Sequence, residues 1–167
     1  MKTFNIKGVL VMLCMTCVTM VFAQVENTKI GAQEFTGEIV IEADKAAIWS
    51  ILTNVDEFCK IMGYRYLDGA RVFDKVGVNS QLEDYGDKGT LILTKFVLNE
   101  ELRFSWDPDN ASYLCTERWT LTTNGNNTSV KLVLRYSESG PQSAEAISEQ
   151  VEHYNTALAK LKRKAEY

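Results

Sequence analysis

The chain has 167 residues, 46% hydrophobic and 24% charged, with a net charge of −4 and one histidine. This suffices for one domain with its own core, and the apolar content excludes intrinsic disorder. The acidic balance argues against a general nucleic-acid binder, and a single histidine excludes a His-rich metal site.

Residues 1–7 carry Lys2 and Lys7 and no acid, residues 8–22 carry no charge, and Val21-Phe22-Ala23 precedes Gln24. This layout predicts a secretory signal peptide, residues 1–23, cut after Ala23. Its apolar run is shorter than the roughly 20 residues that span a bilayer, so no stable membrane span is expected after cleavage. The expected location is secreted or periplasmic. Cys14 and Cys17 leave with the signal. Cys59 and Cys115 remain, as a disulfide or as two buried thiols; both readings stay open.

Residues 24–34 are polar and aperiodic and read as a flexible leader. Phe35–Ile41 alternates and predicts a strand. Asp44 caps a short helix over Lys45–Leu52, and Asn54-Val-Asp-Glu57 is a capping box opening a second, ended at Gly63. Six further strands are expected: Tyr64–Asp74, Ser80–Tyr85, Thr90–Leu98, Glu101–Trp106, Tyr113–Thr123 and Ser129–Tyr136. Gly86–Gly89 and Asn124–Asn127 read as turns. After Gly140-Pro141 a long helix carries Ile147, Val151, Tyr154, Leu158 and Leu161 on one stripe and ends in a cationic cluster. The expected fold is α+β: an antiparallel seven-stranded curved sheet gripping a long C-terminal helix, with two short helices after strand 1.

The stretch Phe35–Trp49 (FTGEIVIEADKAAIW), Asn54–Phe58, Leu102–Trp106 (LRFSW) and Glu152–Leu161, in that order and spacing, resembles the START-like, or SRPBCC, superfamily and its helix-grip fold. The chain is most similar to its polyketide-cyclase-like and ATPase-activator-homologue-like branch. The likeness covers residues 35–163, leaving 164–167 as a C-terminal tail. It implies a cavity between sheet and final helix that holds lipids, sterols, polyketides or other apolar molecules.

On Tyr113–Thr123, period two puts Tyr113, Cys115, Glu117, Trp119 and Leu121 on the inner face. Glu117 would then sit among aromatics, where a carboxylate either pairs with a cation, lies at a wet mouth, or has a raised pKa. Phe104 and Trp106 also point inward. With Tyr113, Trp119, Tyr136 and Tyr154 they form either plain core or, as the resemblance implies, the lining of a ligand pocket. His153 is placed toward solvent or the edge of the helical stripe. Asp107, Asp109 and Asn110 read as a turn, and no metal or cofactor motif is found.

Three functions follow. The first is a secreted or periplasmic protein that binds one small apolar or amphipathic molecule, with Phe104, Trp106, Tyr113, Glu117, Trp119, Tyr136 and Tyr154 as the site and no cofactor; it requires no catalysis. The second is a cyclase, dehydrase or isomerase with Glu117 as acid/base. The third is a cavity-free structural or interaction domain.

Overall fold

A computed structural model describes residues 24–27, 33–110, 113–137 and 143–167, so the expected signal peptide lies outside the described residues. The sheet contains β1 (Gln24–Asn27), β2 (Glu34–Ile41), β3 (Arg65–Gly69), β4 (Asn79–Asp84), β5 (Asp87–Val97), β6 (Glu101–Pro108), β7 (Leu114–Asn124) and β8 (Asn127–Ser137). Two short helices, α1 (Lys45–Thr53) and α2 (Val55–Met62), follow β2, and α3 (Ala144–Glu166) closes the chain. The spatial order is β1-β2-β8-β7-β6-β5-β4-β3, antiparallel throughout. The seven expected strands are all present. An eighth, β1, forms where a flexible leader was expected: Gln24–Asn27 pairs with Phe35–Glu38 of β2, which satisfies an otherwise open edge.

Local chemistry explains the boundaries. The Asp44 carboxylate accepts from Ala47 N at 2.7 Å and starts α1; Asn54 accepts from Glu57 N at 3.1 Å and starts α2. Gly63, left-handed at φ 80, ends α2. The strand expected over Tyr64–Asp74 stops at Gly69, where φ is +100. The chain then leaves the sheet, Phe73 N donates to Thr53 O at 2.9 Å, and the Phe73 ring is fully buried. The β4–β5 turn is tighter than expected. Tyr85 and Gly86, at φ 48 and 94, make the whole connection, and Gly89 lies inside β5. A β-bulge between Leu93 and Lys95 shifts the inward positions from Leu91 and Leu93 to Phe96, whose ring meets Trp49 edge-on at 5.2 Å.

Helix α3 begins at Ala144 with Ser143 as its cap, later than the proline position suggested. It also runs through the expected tail to Glu166. There Glu166 Oε1 accepts from Glu42 N at 2.8 Å, and Lys162 Nζ donates to Val40 O at 2.9 Å. The stripe is gripped unevenly. Tyr154, Ala157, Leu158 and Leu161 are buried, whereas Ile147 and Val151 are only half-buried. The helix packs on β2 and β1 of the sheet and on α2 and α1, and its fully buried residues lie in its C-terminal half. No helix among the described residues is long and apolar enough to cross a membrane.

Candidate functional site

The inner face of β6–β7–β8 is a grid set by register. Trp106, Cys115 and Tyr136 form one row; Phe104, Glu117 and Leu134 the next; Leu102, Trp119 and Leu132 the third. The inward assignment of Cys115, Glu117, Trp119 and Leu121 holds, since these alternate as buried along β7. Phe104 and Trp119 are fully buried and pack on Phe58 of α2, with ring centroids 5.1 and 6.2 Å away. Trp106 is stacked on Tyr64 at 6.1 Å.

Glu117 is 1% exposed and meets neither a cation nor a wet mouth. Its Oε1 accepts a 2.7 Å hydrogen bond from the hydroxyl of Tyr64, the residue after the α2 stop. Burial pushes the carboxyl up to about 7, against the hydrogen bond from Tyr64. The Trp119 indole also lies close enough to favour the carboxylate, but its geometry falls short of a hydrogen bond. Glu117 Oε2 and Trp119 Nε1 both lack a hydrogen-bond partner. Asp84, Cys115, Tyr136 and Tyr154 surround this pair within electrostatic reach. Burial raises the Cys115 thiol and the Tyr64, Tyr136 and Tyr154 phenols well above their ordinary values. All are therefore neutral at physiological pH. Both Cys59 and Cys115 are buried free thiols.

A cleft of about 890 Å³ opens between α3, the β4–β5 turn and the adjoining ends of β7 and β8. Its floor is Tyr113, Tyr136 and Tyr154, and the last two join hydroxyl to hydroxyl. Asp84, Tyr85 and Asp87 of the β4–β5 turn form one rim; Glu149, Gln150, Glu152 and His153 of α3 form the other. Burial, with Asp87 adding, pushes the Asp84 carboxyl up to about 6. Three of the seven residues expected at the site, Tyr113, Tyr136 and Tyr154, line this cleft. Phe104, Trp106, Glu117 and Trp119 lie in the layer beneath.

His153, placed toward solvent or the edge of the helical stripe by its position on the helix, lies at that edge, half-buried in the cleft wall. Its Nδ1 lies 3.0 Å from the Tyr85 hydroxyl, and its ring sits edge-on to Tyr154 at 5.0 Å. Burial, then Lys160, lowers its pKa. Sequence reasoning missed Asp84 and the role of Tyr64. The signal for Tyr64 was its place directly after Gly63, since the left-handed cap turns the next residue back across the sheet. For Asp84 no local pattern pointed inward. Among the described residues no cluster of His, Cys, Asp and Glu could hold a metal ion.

No protein-family model matches the chain, and no curated protein matches it. Solved structures do. Protein CV1439 from Chromobacterium violaceum is 15% identical, with a TM-score of 0.65 over 80% of this chain and 97% of its own. A protein from Arthrobacter aurescens is 13% identical, with a TM-score of 0.67 over 84% and 90%. CalU16 from Micromonospora echinospora is 15% identical, with a TM-score of 0.56 over 86% and 83%. At these identities the likeness concerns the fold: a sheet wrapped on a C-terminal helix, the helix-grip architecture that the sequence motifs resemble.

Proposed function

We propose that this protein binds one small apolar or amphipathic molecule in the cleft between its sheet and the N-terminal half of α3. The observation that carries this is a tyrosine-floored cleft of about 890 Å³, walled on one side by Ala146, Gln150 and His153 of α3 and on the other by the β4–β5 turn. Such a floor offers contact area at low torsional cost, with hydroxyls for orientation. Glu117, Phe104, Trp106 and Trp119 back the floor and keep the tyrosines in place; a ligand reaches Glu117 by parting Tyr136 from Tyr154. The protein acts in the periplasm or outside the cell. In support, residues 1–23 have the charge and hydropathy layout of a secretory signal peptide.

The test is native mass spectrometry of the protein purified from its own compartment, before and after solvent extraction. A discrete bound mass that extraction removes supports the reading, and an N-terminus at Gln24 supports export. A bare protein that also takes up none of a panel of apolar molecules overturns it in favour of a closed interaction domain.

One observation favours a second reading. A buried carboxyl near pKa 7, hydrogen-bonded to a phenol, is suited to proton transfer at neutral pH. In that case Glu117 is the acid/base of a cyclase, dehydrase or isomerase. Glu117→Gln then abolishes turnover of the extracted molecule but leaves its binding, whereas a pure carrier shows no turnover to lose.

A further inference from the structure

A side-chain contact bridges the two walls of the cleft. Tyr85 reaches from the β4–β5 turn to α3, where its hydroxyl lies 3.0 Å from His153 Nδ1 and the two ring centroids are 5.4 Å apart. Both residues line the cleft. Tyr85 is otherwise 85% exposed, so burial of its ring does not explain an aromatic at this place. Its backbone is a second oddity. Tyr85 and Gly86 make the whole β4–β5 connection at φ 48 and 94. Two-residue turns of this kind favour Asn, Asp or Gly, because a larger side chain is crowded at positive φ. A bulky residue held there is an outlier, and such outliers gather at clamps and binding sites.

The two partners are held very differently. His153 is a fixed post. Its ring sits edge-on to the buried Tyr154 at 5.0 Å, and a Cβ on Gly63 would lie 3.7 Å from its Cε1, so it rests against the left-handed stop of α2. Tyr85 is an arm on the tip of a hairpin, joined to the post through its hydroxyl and one edge of its ring. Burial, then Lys160, keeps the imidazole neutral, which leaves Nδ1 a lone pair to accept from the phenol. A hydrogen bond of ordinary strength in water makes the joined form outnumber the parted form by about fivefold. The contact therefore opens readily, and the part that swings is Tyr85.

We propose that Tyr85 and His153 form a strap across the cleft, and that the ligand enters and leaves when the Tyr85 ring swings off its post. This rests on the proposed binding role and adds how the same site is closed. Passage requires the parted form, so entry and exit each run at the parted fraction of their intrinsic rates. The strap slows exchange in both directions. A residue that only touches the ligand acts chiefly on exit.

The experiment is stopped-flow fluorescence of the full folded protein with N-phenyl-1-naphthylamine, a neutral apolar fluorophore that brightens on leaving water. Mixing at several probe concentrations gives the entry rate constant, and dilution of the loaded protein gives the exit rate constant. Tyr85→Phe keeps the ring and removes the hydroxyl. Tyr85→Gly removes the ring and suits the positive φ, so its folding is not at risk. The expected result is that entry and exit both rise by about fivefold in Tyr85→Phe and by at least as much in Tyr85→Gly. His153→Phe gives the same rise, and the pair Tyr85→Phe with His153→Phe is no faster than either alone, since both remove one interaction. A change in exit alone, or in neither rate, overturns the strap and leaves the binding role standing. No uptake of the probe, even by Tyr85→Gly, overturns both.

Discussion

At the scale of single residues the most consequential group is Glu117. Its carboxyl is raised from 4.5 to about 7, a difference worth roughly 3 kcal/mol at most. A raised carboxyl makes the folded state hold a proton that the unfolded chain has already released. Stability from this residue is therefore complete below pH 4.5, falls as pH rises to about 7, and is flat beyond. Asp84, raised from 3.8 to about 6, acts in the same direction over an overlapping window. Glu57, Glu101 and Glu166, lowered by their lysine, arginine and backbone partners, act in the opposite direction but below pH 4.5. Urea unfolding at pH 4.5, 6 and 8 should show the decline. Glu117→Gln should keep an acceptor for Tyr64, flatten the slope, and be more stable than the parent at pH 8 by about 1–3 kcal/mol. A variant with an undiminished slope would assign the pH dependence elsewhere. Tyr64→Phe removes the one hydrogen bond the carboxylate accepts. Its expected effect is a further rise in the Glu117 pKa, read by carbonyl carbon chemical shift, and a loss of about 1–2 kcal/mol at pH 7.

At the scale of elements, α3 is two half-helices with different roles. Leu158 is fully buried, so Leu158→Ala should cost about 2–5 kcal/mol. Ile147 is only half-buried, so Ile147→Ala should cost under about 1 kcal/mol. Thermal melts of the two variants check the asymmetry, and comparable losses would show the helix gripped along its whole length. Strand β5 holds a less visible constraint. A Cβ on Gly89 would lie 2.7 Å from Trp106 Cζ2 and 2.7 Å from Asp107 O. Gly89→Ala should therefore displace the Trp106 ring from its stack on Tyr64, change near-ultraviolet circular dichroism, and cost about 1–3 kcal/mol. In the sequence Gly89 looks like part of a turn, because a close approach across strands leaves no local mark. Periodicity works where one face is uniformly buried, as along β6 and β7, and it placed Phe104, Trp106, Glu117 and Trp119 correctly on the inner face. It could not say that Phe58 of α2 fills the space over Phe104 and Trp119 and leaves the opening over Tyr113, Tyr136 and Tyr154. That is decided by how α3 and the β4–β5 turn face each other across the cleft, a property of packing between distant elements.

At the scale of the whole molecule, Cys59 and Cys115 sit on different layers, Cys59 on α2 and Cys115 on β7, both buried and both free. Burial pushes the Cys59 thiol up to about 11 and raises Cys115 well above its ordinary value. Since the thiolate is the reactive form, a disulfide-exchange reagent at pH 8 should label neither thiol in the folded protein and both in guanidinium. Prompt labelling of the native state would show a looser core than the one described. The number and order of strands and helices were largely legible from alternation, caps and turns. The strand β1 and the C-terminal continuation of α3 were not, because their partners, β2 and the residues around Val40 and Glu42, lie far away along the chain.

That distance has a consequence for how the protein is made. Strand β2, the first of the expected seven, pairs with β8, so Glu34 sits opposite Arg135. The end of α3 then locks onto the far end of the same strand through Glu42 and Val40. The pairing of β2 with β8 cannot close, nor can the core be sealed, until β8 and the end of α3 have left the ribosome. Loop closure of this length is slow compared with local structure formation. A nascent chain of this topology can form its β4 to β7 hairpins early, but its core stays open until β8 and the end of α3 have been made.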